Sequence, residues 1–426
     1  SWRTDGSSRF HPGDRWGHFW SVGASWRISE EPFVKRLNFF DNLKLRASFG
    51  QTGNQGIPDY MTSYMLAMKK YVFDGKDASG YRSSTAFNPD LKWETTDQYN
   101  VGLDIAFLKN RISLTVEYYF KNTRDLLQNF KIPESSGFTN QMMNQGRVTN
   151  EGLEIQGTFR VLERAVRWGI DANISFNRNL IHDMPYDQFA TRLWYSADNA
   201  FIFRNGCPIG AIYGYVEDGF YDNEAEVRAN PDYANASDAT VKSMIGEIKY
   251  REGKHIIGDT NPDYTFGITN NFSWKNLTFS FFIQGVMGND IFNGNLQNIT
   301  LSSQYNITKD AYYSRWTPEN RENAKWPKAS NQVKRTWLLS NRYVEDGSYV
   351  RLKNINIGYT FDRPKFCKHI RSINVYASAT NLLTITGYSW YDPDVNAFGG
   401  DASRRGVDIY SYPTSKTFSI GVKVQF

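Results

Sequence analysis

Thr417-Phe418-Ser419-Ile420-Gly421-Val422-Lys423-Val424-Gln425-Phe426 closes the sequence and alternates strictly. Phe418, Ile420, Val422, Val424 and Phe426 fall on one face of an extended chain, and Thr417, Ser419, Gly421, Lys423 and Gln425 on the other, because successive side chains of a strand point to opposite faces. An open strand edge of this kind invites pairing with other chains. In a closed barrel the last strand pairs with the first and leaves no edge.

The same alternation recurs upstream. Trp20, Val22, Ala24, Trp26 and Ile28 alternate with polar or small residues, as do Leu43, Leu45, Ala47 and Phe49. Tyr99 to Phe107, Ile112 to Phe120, Leu153 to Val161 and Val166 to Phe176 follow the pattern, then Tyr264 to Trp274, Leu277 to Ile283, Ile355 to Phe361 and Ile373 to Ala379. With the terminal stretch this makes about eleven strands. The opposite face carries Lys44, Arg46, Asp104, Glu117, Glu154, Gln156, Arg160, Arg167, Asp171, Asn173 and Gln284.

Composition decides which solvent the apolar face meets. The chain has 426 residues, 40% of them hydrophobic and 16% aromatic, with mean hydropathy −0.56. No stretch approaches the roughly 20 consecutive apolar residues of a transmembrane helix. A transmembrane barrel needs strands of only about 10 residues, apolar on one face, with aromatic girdles at both interfaces. The 26 Tyr, 29 Phe and 12 Trp suit it. A Tyr-rich sandwich with one solvated face is the alternative.

The connections favour the barrel. Short links at Lys109-Asn110, Glu163-Arg164 and Lys275-Asn276, with longer ones near 29–42 and 362–371, alternate without exception with long links near 51–94, 125–149, 178–262, 286–347 and 384–416. Outer-membrane barrels keep short turns on the periplasmic side and long loops outside, which predicts a periplasmic C-terminus. A terminal aromatic on such a strand resembles the signal by which outer-membrane barrels are recognised for insertion, here Phe418, Ile420, Val422, Val424 and Phe426, and so implies the barrel-assembly machinery as a partner. Cys207 and Cys367 then lie on opposite sides of the membrane and form no disulfide. No signal peptide opens the sequence, and Ser1-Trp2-Arg3-Thr4-Asp5 reads as the end of a strand, as if the chain had been cut into.

Several functions find no support. A net charge of +5 without a basic run gives no reason to expect nucleic-acid binding. Five His and two Cys form no metal-ligand cluster of recognisable spacing. His11, His18, His182, His255 and His369 read as loop and turn residues without a matching Ser and acid set, so no catalytic, cofactor or metal site is expected. The Asn-x-Ser/Thr matches at Asn298 and Asn306 are chance in this compartment.

Ordered motifs then make the pattern specific. Asp5-Gly6-Ser7-Ser8-Arg9-Phe10, Leu45 to Gln55 (LRASFGQTGNQ), Asn88 to Thr96 (NPDLKWETT) and Asn150-Glu151-Gly152-Leu153-Glu154 come first. Pro208-Ile209-Gly210 with Tyr213-Gly214-Tyr215 and Asp218-Gly219, Asn261-Pro262-Asp263-Tyr264, and Gln284 to Ile291 (QGVMGNDI) follow. Asp346 to Asn354 (DGSYVRLKN), Asn381-Leu382-Leu383-Thr384 and Tyr391-Asp392-Pro393-Asp394 complete the series. Together they resemble the SusC/RagA family of TonB-dependent outer-membrane transporters.

The resemblance implies an all-β fold: an antiparallel transmembrane β-barrel of about 22 strands. This chain would be its C-terminal half, with about 11–12 of those strands, short periplasmic turns and long extracellular loops. The plug, the TonB-contacting segment and the N-terminal strands would be absent. It implies TonB-energised import of oligosaccharide or peptide, a SusD-like surface lipoprotein closing over the loops, and pairs of such complexes. The family's acidic DxNGDGxID stretch is replaced here by Gly246 to Asp259, with basic residues in its place, so no calcium is expected there. Trp194, Tyr195, Trp316, Trp326, Trp390 and Tyr391, aromatic residues of long loops, are candidates to touch ligand or lid, against simple packing between loops. Structural roles, mostly turn chemistry, are expected of Asn289, Asp290, Asn354 and Asn381, with little ligand contact. A surface adhesion or ligand-binding β-protein without transport is the alternative of a different class, and an outer-membrane enzyme a third.

Overall fold

The computed structural model describes residues 1–192, 199–296, 306–329, 338–363 and 369–426. Trp194, Tyr195, Asn298 and Cys367 lie outside the described residues.

The alternating segments form one antiparallel sheet of twelve strands, each paired with its neighbours in chain order. They are β1 (Trp2–Gly6), β2 (Trp16–Arg27), β3 (Phe40–Asn54), β4 (Glu94–Phe107), β5 (Ile112–Arg124) and β6 (Arg147–Glu163). Then come β7 (Val166–His182), β8 (Tyr264–Trp274), β9 (Leu277–Met287), β10 (Tyr349–Asp362), β11 (Ser372–Thr386) and β12 (Thr417–Gln425). The fragment at residues 1–5 is thus a strand of its own. The strands also run further than the sequence alternation suggested, so His18 and His182 sit in strands and not in loops. Thr4 Oγ1 and Thr149 Oγ1 lie 3.1 and 2.9 Å from their ring nitrogens.

The links confirm the alternation except at the first. Residues 7–15 join β1 to β2 on the long-loop side, yet this link is no longer than the 28–39 link on the short side. A further departure lies at the foot of β6. A bulge between Arg160 and Leu162 pairs Leu162, not Val161, with Trp168, so Leu162 takes the apolar face there.

The two faces differ in chemistry as the alternation requires. Leu45 pairs with Leu103, Leu103 with Val116, Val116 with Ile155 and Ile155 with Ile174, so one apolar row crosses five strands. Near the long-loop end, Trp20, Phe49, Tyr99 and Phe120 form a chain of ring contacts at 4.6, 4.7 and 6.3 Å. Near the short-turn end, Phe39 stacks on Phe107 at 5.6 Å and Trp168 on Phe272 at 5.4 Å. Nine residues separate Phe40 from Phe49; at about 3.4 Å per residue and a tilt near 40° this puts the two aromatic rows about 23 Å apart. That is the height of a bilayer's apolar band. On β12, Phe418 is 71% and Ile420 84% exposed on this same face. Asn270 is a polar residue on this face, and the Trp168 indole N–H donates to its Oδ1 at 3.1 Å.

The other face is hydrogen-bonded. Arg46 donates to both oxygens of Asp104 (2.9 and 3.2 Å) and to Glu117 (3.2 Å), and Thr115 also donates to Asp104 (3.2 Å). The guanidinium lies over Gly102, where a Cβ would fall 2.7 Å from it. Thr158 and Asn271 converge on Asp171 in the same way, at 2.9 and 3.2 Å.

Candidate functional site

The buried side chains gather above the sheet, at the long-loop end. The links between strands fold there into a layer with a core of Ala200, Phe201, Ile212, Phe292, Leu339, Tyr343 and Val407. Short ladders fold the links, with Phe201 paired to Ile212 and Ala211–Gly214 to His255–Asp259 in one and Asp290 to Asp346 in another, and Phe292 pairs in parallel with Val407 across two links. Motifs far apart in sequence therefore meet in one place.

Arg351 is the anchor between this layer and the barrel wall. It is 1% exposed. Plain alternation from Ile355 and Ile357 would put it on the apolar face. A bulge at Lys353 intervenes: Phe282 pairs with Asn354 but Ile283 with Leu352. Leu352 and Val350 thereby take the apolar face, opposite the exposed Leu383 and Ile385, and Arg351 turns inward. Its Nε donates to Thr384 Oγ1 (2.9 Å), Nη2 to Asp392, and Nη1 to Asp394 and Thr414 Oγ1 (both 3.4 Å). Asp392 also accepts from Thr414 Oγ1, from the Thr414 amide (3.0 Å) and from the Asp394 amide (2.9 Å). Burial alone would raise the Asp392 carboxyl, but these donors outweigh it and hold the group below the usual carboxylate range. Arg351 belongs to the DGSYVRLKN motif and Asp392 to YDPD, so the two motifs are one buried ion pair.

Other motif residues work similarly. Asn381, at φ +53°, sits where two residues of β11 oppose one of β10, and its Nδ2 donates to the Ser415 carbonyl at 3.0 Å. Asp290 accepts from the Asp259 amide at 2.8 Å; burial first, and then the Asp259 charge, push its carboxyl up. Glu217 accepts from Arg342 Nε (3.0 Å), Arg342 Nη2 and Ser340 Oγ (2.6 Å). The stretch 246–259 forms two strand segments, Ile248–Tyr250 against Glu217–Phe220 and His255–Asp259 against Ala211–Gly214. Among the described residues no group of three or more His, Cys, Asp or Glu side chains is arranged to hold a metal ion.

The structure separates the candidate aromatics into two kinds. Trp316 is 6% exposed, donates to Asp222 at 2.8 Å, and lies over Gly246, where a Cβ would meet its ring at 2.5 Å. Trp326 donates to Asp310 at 2.7 Å, and the Arg342 guanidinium lies 4.9 Å from its ring centre. Trp316 is held between two loops and Trp326 within its own link. Trp390 and Tyr391 meet edge to face at 5.0 Å on the final link, and Tyr391 is 74% exposed. The second exposed group went unread in the sequence. Leu66–Phe73 and Lys76–Ser83 form a hairpin, paired only to each other, that displays Leu66, Met68, Tyr71, Val72, Phe73 and Tyr81 to solvent.

A sheet that is apolar and girdled by aromatics on one face, polar on the other, with its loops gathered at one end, defines a segment of a transmembrane β-barrel. Comparison with known proteins places it more closely. The family model described as TonB dependent receptor-like, beta-barrel, matches residues 1–382, and the chain belongs to that family of outer-membrane barrels. It is 34% identical to the TonB-dependent receptor P3 of Formosa agariphila, over all of this chain and 43% of that protein. It is 30% identical to the TonB-dependent receptor SusC of Bacteroides thetaiotaomicron, over all of this chain and 41% of that protein. The chain thus spans less than half the length of these curated relatives. Among solved structures, the RagAB peptide transporter superposes with a TM-score of 0.80 at 26% identity, covering all of this chain and 45% of the transporter chain.

Proposed function

We propose that this chain is the C-terminal half of a barrel of about 22 strands, a TonB-energised importer of oligosaccharide or peptide in the outer membrane. The twelve-strand sheet with its opposed apolar and polar faces is the observation that carries the reading. In it the polar face lines a wet lumen, the short links and Phe426 are periplasmic, and the loop layer faces outside the cell. The plug, the TonB-contacting segment and the remaining strands belong to the rest of a longer protein, and β1 and β12 are closed by strands from that part. The exposed apolar face of β12 is the feature the barrel-assembly machinery engages.

A SusD-like surface lipoprotein completes the reading as a lid, in complexes that pair. The 66–83 hairpin supports it, since apolar side chains clustered on a projecting hairpin mark a contact surface. Tyr391 and Trp390 are the candidate aromatics placed to meet lid or ligand. Nothing in this role calls for catalysis.

The test is genetic and biochemical. Deleting the gene for the intact protein is expected to abolish growth on one class of oligosaccharide or peptide, as loss of TonB should, and the purified protein is expected to carry a lipoprotein. Extraction of the intact protein as a soluble species, without detergent, would overturn the barrel. Growth unaffected on every substrate, with surface binding retained, would favour an adhesin.

A further inference from the structure

The link between β7 and β8 contains a small folded unit that the barrel does not require. Its helix Glu224–Ala229 opens with a reciprocal cap: the Glu226 amide donates to Asn223 Oδ1 at 2.9 Å, and the Asp222 amide to Glu226 Oε2 at 3.3 Å. Asn230 caps the next turn by accepting from the Asp232 amide (3.0 Å), and its Nδ2 donates to the Tyr221 hydroxyl (2.7 Å). Tyr221, Val227, Val241 and Met244 form a core of its own.

Between this unit and the 248–253 segment lies a cavity of about 670 Å³, within the range of small-molecule sites. Tyr215, Tyr221, Tyr233 and Tyr250 line it. The Tyr215 and Tyr250 rings stand 5.6 Å apart at 58°. The Tyr250 hydroxyl has no hydrogen-bond partner among the described residues. Burial first, and then the Glu217 charge, push that phenol well above its usual range, so it stays a neutral donor. Polar groups of both kinds complete the lining: the Lys249 ammonium, the Asp232 and Glu252 carboxylates and the Asn230 amide.

We propose that this cavity is a binding site for a neutral saccharide of two or three sugar units, separate from the barrel lumen. Flat aromatic faces suit the apolar faces of sugar rings, and interspersed donors and acceptors suit their hydroxyls. Four lining carboxylates, on Asp218, Glu226, Asp232 and Glu252, against the cations of Lys249 and Arg251, disfavour an anionic ligand. The protein's own Lys254 ammonium lies 5.2 Å from the Tyr215 ring centre. The caps and the core fix the walls before ligand arrives. The proposal rests on the transporter reading only in placing this link outside the cell.

The experiment uses the intact detergent-solubilised protein. A panel of neutral di- and trisaccharides, and lysine-rich tripeptides as the competing class, are titrated by calorimetry. Binding of at least one saccharide is expected. Tyr250→Phe is expected to weaken it roughly 3- to 10-fold, the range of one hydrogen bond, and Tyr233→Ala by about 10-fold or more through loss of a stacking face. Heat-modifiable gel migration verifies that each variant keeps its barrel. Absence of saccharide binding, saccharide binding indifferent to both variants, or binding of the tripeptides alone would each overturn the site. TonB-dependent uptake measured in parallel separates the two readings: binding without uptake keeps the site and removes the importer, and uptake without binding does the reverse.

Discussion

Replacing Arg351 by Met should release the final long link from the barrel wall. The guanidinium holds β10 to residues 384–414 through Thr384, Asp392, Asp394 and Thr414, and is buried among them. Methionine fills much of the volume but leaves the Asp392 carboxylate buried without its counter-charge. Removing one partner of such a pair costs about 3–5 kcal/mol, so the opening equilibrium of the link should rise roughly 10²- to 5 × 10³-fold. Hydrogen exchange of the intact protein in detergent is the assay. Faster exchange is expected over residues 387–416, with the amides of β2 to β7 unchanged. Arg178→Met is the control, since Arg178 is exposed and has no charged partner among the described residues.

Acid should act on the same contact. The folded Asp392 carboxyl titrates below its unfolded value, so its stabilisation is complete above the unfolded pKa of about 4 and is lost as pH falls through the folded value. In the Met variant one lowering influence is gone and burial gains weight, so protection of the link should begin to fall at higher pH. A double variant, Arg351→Met with Asp392→Asn, should lose less than the sum of the singles, because no buried charge is then left alone. Unchanged exchange over 387–416 in the single variant would refute the anchoring role, as would equal loosening of the whole sheet.

Other expectations follow from the same geometry. Gly246→Ala should loosen the unit around Trp316, because the position combines φ +81° with a Cβ 2.5 Å from that ring; a loss of about 1–3 kcal/mol would show as faster proteolysis between residues 215 and 253. Tyr391→Ala should leave heat-modifiable migration intact and weaken lid or ligand capture, whereas Trp316→Ala should expose its own loop to protease first. Glu247→Gln should stabilise the loop layer at neutral pH, because burial raises this carboxyl; the ionised form is disfavoured increasingly as pH rises through that value, so variant and parent should converge in acid. Phe426→Asp should lower the amount of barrel assembled in the outer membrane, read by surface labelling against total protein.

Twelve strands, their faces and their order were nearly all legible, because a period of two repeats over many residues and one apolar face must meet lipid. What escaped were single-residue events. One extra residue at Lys353 reverses the alternation of β10, so counting outward from Ile355 would assign Arg351 to the membrane. The same kind of event moved Leu162 into the place given to Val161. The loop layer was visible only as scattered motifs, since the pairing of Arg351 with Asp392 spans 41 residues and no local rule links them. An exposed hairpin such as 66–83 has too little alternation against its own core to announce itself, and no local rule tells that the Trp316 indole finds a carboxylate 94 residues away.

These placements divide the links of the long-loop side by mechanics. Those after β7, β9 and β11 share a core and parallel pairing at Phe292 and Val407, and Arg351 pins the last of them to the wall. They move as one body or not at all, because opening any of them exposes apolar side chains or strands a buried charge. The link after β3 has the opposite build: its hairpin pairs only with itself and presents its apolar side chains outward. Its base is nonetheless seated, with Ile57 and Leu91 buried beside Phe10 and Met142. A stiff layer with one projecting arm, firm at its root, lets the arm meet a partner without disturbing the rim at its base. Cutting the hairpin at its Asp74-Gly75 turn should therefore impair partner capture while leaving exchange in the 199–214 and 387–416 segments unchanged; coupled loosening of those segments would show that the arm and the layer are one mechanical unit.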